Sequence, residues 1–184
     1  ALALGVLQKK LPVPVLGVIE PGAKEAVRHS KNKKIGIIGT KATISSMAYV
    51  NAMKRLDPDI EVFSKPCPLC VPIAEEGLEN DKVAIFMAEK YLEELKACGI
   101  DTLVLGCTHY PLLEWATKTI MSDGITIINT GIETAKEVQK TLDKKRILND
   151  SGKRISEYFV TDSPETFKEI GNRFLGEEIK RIKF

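Results

Sequence analysis

Short apolar runs alternate with longer segments of helical periodicity through most of the chain. Apolar positions near 3.6-residue spacing predict helices over 21–30, 45–56 and 81–98, the last of them ending at Gly99. Runs rich in β-branched residues predict strands over 13–19, 35–39, 60–63, 102–106 and 125–129. This alternation is typical of βαβ units, so we predict an α/β fold: a parallel-sheet, three-layer domain with helices on both faces.

The pattern changes after Gly131. It predicts a helix over 132–142, a short strand over 157–160, and a helix over 163–174 with Ser163 as its cap and Pro164 in its first turn. One strand and two helices bury little apolar surface on their own. We therefore expect this tail to pack on another part of a protein.

Composition narrows the class of protein. The chain has 184 residues, 43% of them hydrophobic, and its 27 Lys and Arg against 25 Asp and Glu leave a net charge of +2. Such a balance does not indicate a nucleic-acid partner. No apolar run approaches the roughly 20 residues that cross a bilayer, so we expect no membrane partner and a cytoplasmic location. Four cysteines are too sparse for a disulfide scaffold, and we expect reduced thiols.

The start of the chain has a pattern of its own. No Met opens it, and a helical pattern begins at Ala1 without a capping residue before it. We therefore expect these residues to be part of a longer protein.

The segment 103–111 is the most informative for chemistry. Its predicted strand delivers Cys107 at the carboxyl end, where open α/β sheets bind ligands, with His109 two residues later. The amides of a helix beginning at Pro111 would favour a thiolate at Cys107. An inert buried cysteine is the alternative, but the polar loop around His109 favours chemistry. Trp115 is predicted to lie on the buried face of the following helix.

Two other segments offer polar groups. Thr40 and Thr43 follow a predicted strand and could hold a carboxylate or phosphate, although the same pattern is also an ordinary helix cap. Three prolines within 66–72 predict a rigid loop without regular helix, with Glu75 or Glu76 at its end as a site carboxylate or a solvated charge.

The rigid loop also contains Cys67 and Cys70 at CxxC spacing. A second ligand pair is missing, so no zinc is expected, and the Val and Pro after Cys70 fit thioredoxin-like chemistry poorly. No glycine-rich phosphate loop or dinucleotide fingerprint is present, so no nucleotide cofactor is expected.

Taken together, these segments resemble the glutamate racemases of the aspartate/glutamate racemase superfamily. The motifs that carry the resemblance stand in the family's usual order over nearly the whole chain, at 15–21, 38–44, 68–77, 105–113, 159–161 and 174–176. The chain departs from the family pattern in two places: Cys70 replaces a Phe or aliphatic residue, and Asn129-Thr130 replaces a commoner Asp-Ser.

The resemblance implies a fold of two pseudo-symmetric α/β domains with the site in the cleft between them. Residues 1–20 would end the first domain, 21–130 would form the second, and 131–184 would return to the first. The first domain would be the partner that completes the site. The family's Cys-Asn-Thr motif, which carries the first catalytic cysteine, would lie just ahead of Ala1. The resemblance leaves homodimer formation open.

The resemblance also implies roles for single residues. Cys107 matches the second catalytic cysteine, His109 its assisting neighbour, and Glu75 the acidic residue of the site. The residues that match the substrate-binding positions are Thr40, Thr43 and Thr108. The implied reaction is racemisation of glutamate by two opposed thiols, without cofactor or metal, supplying D-glutamate for peptidoglycan and hence for cell-wall biogenesis and cell shape.

Two other functions stay open from the residues alone. Cys107 and His109 could form a thiol hydrolase, although residues two apart rarely provide a separately oriented base, and the sequence indicates no third orienting group. A non-catalytic module that binds a carboxylate is the other alternative.

Overall fold

A four-stranded parallel sheet carries the fold. In the computed structural model, which describes residues 3–121, 124–152 and 155–183, the strands pair in the order β2-β1-β3-β4. Ile38 lies opposite Lys65 on one side and Leu105 on the other, and every pairing in this sheet is parallel. The bounds are β1 Lys34–Gly39, β2 Glu61–Pro66, β3 Thr102–Leu105 and β4 Thr126–Asn129. The prediction of an α/β fold is confirmed.

Helices connect these strands. A short 3-10 helix, Tyr110–Leu113, precedes α7. The helices of this part of the chain are α1 Leu4–Lys10, α2 Ile19–His29, α3 Lys41–Ser45, α4 Ala48–Leu56, α5 Cys70–Glu75, α6 Lys82–Ala97, α7 Glu114–Met121 and α8 Thr130–Lys144. The helix predicted from Ala1 is present from Leu4, and Ala1 and Leu2 lie outside the described residues.

Successive side chains along each strand point to opposite faces of the sheet, so the hydrophobic core has two parts, one on each face. Ile37 and Val104 pack with α2 and α4 on one face, whereas Leu103 and Leu105 pack with α5, α6 and α7 on the other. All four side chains are at most 1% exposed. Strands covered on both faces are apolar throughout, which explains the continuous apolar runs in the sequence.

Local signals set the ends of the long helices. Asp81 caps α6 by accepting a hydrogen bond from the Val83 amide at 2.8 Å, and Asn129 caps α8 in the same way. After α6 the chain turns at Gly99 with φ of +70°, a conformation that favours glycine. The predicted stop at Gly99 is confirmed.

The chain divides into two compact units, Ala1–Lys145 and Arg146–Phe184. The second unit contains β5 Tyr158–Phe159, α9 Pro164–Leu175 and β6 Ile182–Lys183, with β5 and β6 paired in parallel. Ile179 is buried in this unit, at 2% exposure. Ser163 occupies the N-cap position of α9 as predicted, but its side chain makes no capping hydrogen bond.

Three predictions about local structure were wrong. The strand predicted over 13–19 is absent: Ile19 begins α2, and the proline-flanked residues before it leave Val13 59% exposed and have no neighbouring strand in the described sheets. The proline-rich segment contains a helix, α5, because Pro72 lies in the first turn, where its missing N–H has no helical partner to lose. Trp115 is 52% exposed rather than in the core, because Leu113 and Ala116 take the inward positions.

Candidate functional site

The predicted site residues gather at the carboxyl edge of the sheet. The chain runs from β1 outward to β2 and then crosses back to β3, so the direction of winding reverses between β1 and β3. Thr40 follows the end of β1 and Cys107 follows the end of β3. Open α/β sheets bind ligands at such a reversal, and the structure therefore puts both residues where a ligand is expected.

A close backbone approach fixes where Cys107 lies. The amide of Gly106 donates to the carbonyl oxygen of Ile38 at 2.8 Å, which extends the β1–β3 ladder by one step. A Cβ at Gly106 would lie 2.8 Å from that same oxygen. Only glycine fits this approach without a shift of backbone, so Gly106 holds the following cysteine against the end of β1.

Cys107, Thr108 and His109 form a polar group at this edge. Cys107 Sγ lies 3.9 Å from His109 Nδ1, and Thr108 Oγ1 lies 3.3 Å from the same nitrogen. Cys107 and His109 are partly buried and Thr108 is exposed. The thiol, the imidazole and a hydroxyl are thus within reach of one small ligand.

Glu75 completes the arrangement from a different element. At the end of α5, its Oε1 lies 3.2 Å from His109 Nε2, and their side chains are 45% and 25% exposed. The structure therefore contains a Cys107–His109–Glu75 series. The sequence named all three residues but indicated no third orienting group beside Cys107 and His109, because contacts between separate elements leave no periodic signal.

Burial dominates the ionisation of Cys107. It raises the pKa of the thiol, and negative charge on Cys70 raises it further, whereas the amides of His109 and Tyr110 and the Thr108 hydroxyl lower it. The pKa stays above its ordinary value, so the group is a thiol at neutral pH. The expected backbone donors are present, but they do not outweigh burial.

Thr40 and Thr43 interact with each other. Thr40 is the N-cap of the five-residue α3, and its Oγ1 accepts from the Thr43 amide at 3.2 Å. The two hydroxyl oxygens are 3.0 Å apart. The cap interpretation is confirmed, and the role in holding a carboxylate stays a prediction.

Two buried hydroxyl groups, on residues that were not among the predicted site residues, stabilise the carboxyl edge of the sheet. Tyr110 donates to the carbonyl oxygen of Cys67 at 2.7 Å, and Thr130 donates to that of Leu105 at 3.1 Å. Each ties the end of one strand to the segment that follows another. Thr130 directly follows a predicted strand, and a hydroxyl residue in that position is the signal by which the sequence could have indicated it.

Within the described ranges, no group of three or more His, Cys, Asp or Glu side chains could hold a metal ion. None of the helices described is long and apolar enough to cross a membrane.

Comparisons with known proteins identify the relatives of this chain. A family model described as Asp/Glu/Hydantoin racemase matches residues 1–138. A glutamate racemase of Geobacter metallireducens is 43% identical over 180 residues, covering 97% of this chain and 67% of that protein. The chain spans about two thirds of the length of the curated relatives that it matches.

Solved structures give the same relationship. A glutamate racemase isoform from Bacillus anthracis superposes with a TM-score of 0.92 at 40% identity, covering 98% of this chain and 67% of that one. The glutamate racemase of Francisella tularensis, solved in complex with D-glutamate, superposes with a TM-score of 0.89 at 30% identity over the same shares.

Proposed function

This chain belongs to the Asp/Glu/Hydantoin racemase family, and we propose that it is part of a glutamate racemase, an isomerase that interconverts L- and D-glutamate without a cofactor. The observation that carries the proposal is the Cys107 thiol beside His109 at the ligand-binding edge of the sheet. The relatives named as glutamate racemases, one of them solved with D-glutamate, support this substrate.

Cys107 is proposed to exchange a proton with one face of the substrate α-carbon. Because its pKa is raised, the resting group is a thiol and is ready to donate. In the opposite direction it must first lose that proton and then act as the base. Inversion also requires a second group on the other face, and we assign that role to a thiol outside residues 1–184.

His109 and Glu75 are proposed to assist the transfer of this proton to and from Cys107. His109 Nδ1 faces the Cys107 sulfur while Nε2 faces the Glu75 carboxylate, so the imidazole is oriented from both sides. The imidazole would accept the proton that Cys107 releases, while Glu75 keeps the ring in position. The same pair would therefore assist Cys107 when it acts as the base.

The three threonines are proposed to bind the substrate carboxylates. Thr108 is exposed beside the thiol, and Thr40 and Thr43 lie at the neighbouring strand end. In the hydrogen bond between the Thr40 and Thr43 hydroxyls only one of the two donates, so the O–H of the other can donate to a ligand. Such donors, fixed before the reaction, stabilise the charge that develops when the α-proton leaves.

We retain the domain division as part of this proposal. Residues 1–20 and 131–184 would pack with a further domain, and 21–130 would form the half that carries Cys107. The reaction would take place in the cytoplasm and supply D-glutamate for peptidoglycan.

Circular dichroism of glutamate tests the proposal directly. The full-length protein encoded by the gene, dialysed against a chelator and given no cofactor, should abolish the signal of either pure enantiomer and bring both to the same final value. A signal that persists for both enantiomers contradicts the assignment. If glutamate is nevertheless bound, the non-catalytic module is the correct alternative.

A thiol hydrolase is a second candidate, because the Cys107–His109–Glu75 series resembles a nucleophile, base and orienting acid. The discriminating assay is a burst experiment with an activated ester. A burst of one equivalent with Cys107 acylated favours the hydrolase, and slow acylation without turnover favours the racemase.

A further inference from the structure

Cys67 and Cys70 form a buried pair next to the candidate site. Cys67 follows β2, and Cys70 is the first residue of α5. The Cys70 amide donates to the Cys67 carbonyl oxygen at 3.2 Å, which closes a four-residue turn. The first and last Cα atoms of such a turn lie within about 7 Å, and disulfides span about 4.4–6.8 Å. The backbone therefore holds the two thiols at a separation that a disulfide can bridge.

The surroundings make one of these thiols reactive. The Cys67 thiol donates to the Lys65 carbonyl oxygen at 3.6 Å, and its interaction with the neighbouring Cys70 sulfur lowers the pKa of Cys70 and raises that of Cys67. The other ionisable groups near the pair are Lys65 of β2, Tyr91 of α6, Tyr110 and Cys107. A low-pKa thiol beside a second thiol is the arrangement in which an oxidised sulfur is captured as a disulfide.

The surroundings of the pair restrict access to very small molecules. Cys70 keeps 7% exposure, and a cavity of about 10 Å³ is lined by Cys67, Cys70 and Tyr110. That volume corresponds to about one water molecule. Hydrogen peroxide is only slightly larger than water, whereas glutathione disulfide is far too large for this space.

The pair is connected to the site by two contacts. The Tyr110 hydroxyl, three residues after Cys107, donates to the Cys67 carbonyl oxygen at 2.7 Å. At the other end of α5, Glu75 lies 3.2 Å from His109. A change in the turn at Cys67 and Cys70 therefore acts on His109 and Tyr110, which lie two and three residues after Cys107.

We propose that Cys67 and Cys70 form a reversible disulfide on reaction with a peroxide, and that this bond changes the reactivity of Cys107. The Cys70 thiolate attacks one peroxide oxygen, breaks the O–O bond and becomes a sulfenic acid as hydroxide takes up a proton. The Cys67 sulfur then attacks the Cys70 sulfur and expels water. Two thiols lose two electrons, one peroxide becomes two waters, and a dithiol reductant reverses the result.

The direction of the effect on Cys107 follows from charge. Ionised Cys70 raises the pKa of the Cys107 thiol, and a disulfide carries no charge. The bond adds no charge to and removes none from the other groups that face Cys107, which are Thr108, His109 with Glu75, and Tyr110. Oxidation should therefore lower the pKa of Cys107 and make its alkylation faster at neutral pH. We expect a change of about fivefold, since the interaction lost is that of one nearby charge, partly screened at a partly exposed site.

Mass spectrometry locates the bond. Trypsin does not cleave between Lys65 and Pro66, so Cys67 and Cys70 share the peptide 56–82, while Cys98 and Cys107 share 97–118. After peroxide treatment and blocking of free thiols, we expect peptide 56–82 unblocked and two hydrogens lighter. The change should disappear in Cys70→Ser and Cys67→Ser and persist in Cys98→Ser, the matched control. Blocked thiols in 56–82, or a cross-link to 97–118, overturn the proposal.

Iodoacetamide kinetics test the link to Cys107. The oxidised protein should alkylate Cys107 about fivefold faster than the reduced protein at pH 7, with the rate profile shifted to lower pH, and dithiothreitol should restore the slow rate. Equal rates and profiles refute the link. Folding of each variant is checked by far-ultraviolet circular dichroism, and Cys70→Ala serves if Cys70→Ser unfolds.

The disulfide is independent of the proposed function, whereas any effect on racemisation rests on it. Alkylation and peptide masses are read without turnover. An inactive protein that still forms the bond and changes the Cys107 rate contradicts only the racemase assignment.

Discussion

Asp101 connects the loop before β1 to the start of β3, the strand that delivers Cys107. Its carboxylate accepts four hydrogen bonds: from Ser30 Oγ and the Lys31 amide at 2.7 Å, from the Asn32 amide at 2.8 Å, and from Thr102 Oγ1 at 2.9 Å. We predict that Asp101→Ala destabilises this part of the chain without changing the chemistry of the site.

The size of the destabilisation depends on which of the four donors can form a hydrogen bond with water instead. Lys31 and Asn32 are exposed, so water replaces their bonds at little cost, whereas Thr102 is fully buried. An unsatisfied buried hydroxyl costs about 1–3 kcal/mol, and one ordinary bond from half-buried Ser30 adds about 1 kcal/mol. The expected loss of unfolding free energy is thus about 3 kcal/mol.

The stability that the Asp101 carboxylate contributes should decrease as the pH falls. Burial raises the pKa of Asp101, but the hydrogen bonds from Asn32, Ser30, Lys31 and Thr102 outweigh it, and the pKa lies below its ordinary value. A lowered folded-state pKa gives stability that is fully present above the unfolded value of about 3.9 and is lost as the pH falls through the folded value. The difference between wild type and Asp101→Asn should therefore shrink below about pH 4.

Urea unfolding followed by circular dichroism and by Trp115, the single tryptophan of the chain, measures this. Asp143→Ala, on the exposed side of α8, is the matched control and should change stability by no more than about 0.5 kcal/mol. A loss below about 1 kcal/mol for Asp101→Ala, or one that grows as the pH falls, would refute the reasoning.

Three further predictions concern the site. His109→Asn should slow racemisation by roughly 10²-fold, more in one direction than in the other, because the thiol remains and only its proton balance changes; equal losses in progress curves from L- and D-glutamate would assign His109 to substrate binding instead. Gly106→Ala should cost about 1–3 kcal/mol in urea unfolding, since its Cβ would meet the Ile38 carbonyl oxygen at 2.8 Å; an unchanged midpoint would disprove the close approach. A polypeptide limited to residues 1–184 should not racemise glutamate, because Cys107 serves one face only, and turnover by protein of that confirmed mass would mean that Cys67 or Cys70 is the second base.

The sequence predicted elements best where several local signals agree. The helix capped by Asp81 was found because its apolar period, its cap and the glycine after it all indicate the same bounds. The strand ending at Leu105 was found because an apolar run and the glycine after it indicate its bounds. Residues 13–17 carried only a β-branched signal, which does not distinguish a strand from an extended segment without a partner.

The site was predictable as a set of residues but not as a geometry. Cys107 and His109 are two apart, so their proximity was expected. The contact of Glu75 with His109 and that of Tyr110 with Cys67 join elements distant in sequence. The net direction of the Cys107 pKa depends on how deeply the strand end is buried, and no sequence pattern gives that quantity.

Proton exchange in deuterium oxide tests the central claim, that Cys107 moves the α-proton on one face of glutamate. Each enantiomer is incubated with the full-length protein or with its Cys107→Ser variant, and deuterium at the α-carbon and inversion are measured together by mass spectrometry and chiral chromatography. The wild type should invert and deuterate both enantiomers. The variant should lose inversion by more than about 10⁴-fold, because a serine hydroxyl is far too weak a base and no other group takes its place. Inversion by Cys107→Ser within tenfold of the wild type would contradict the claim.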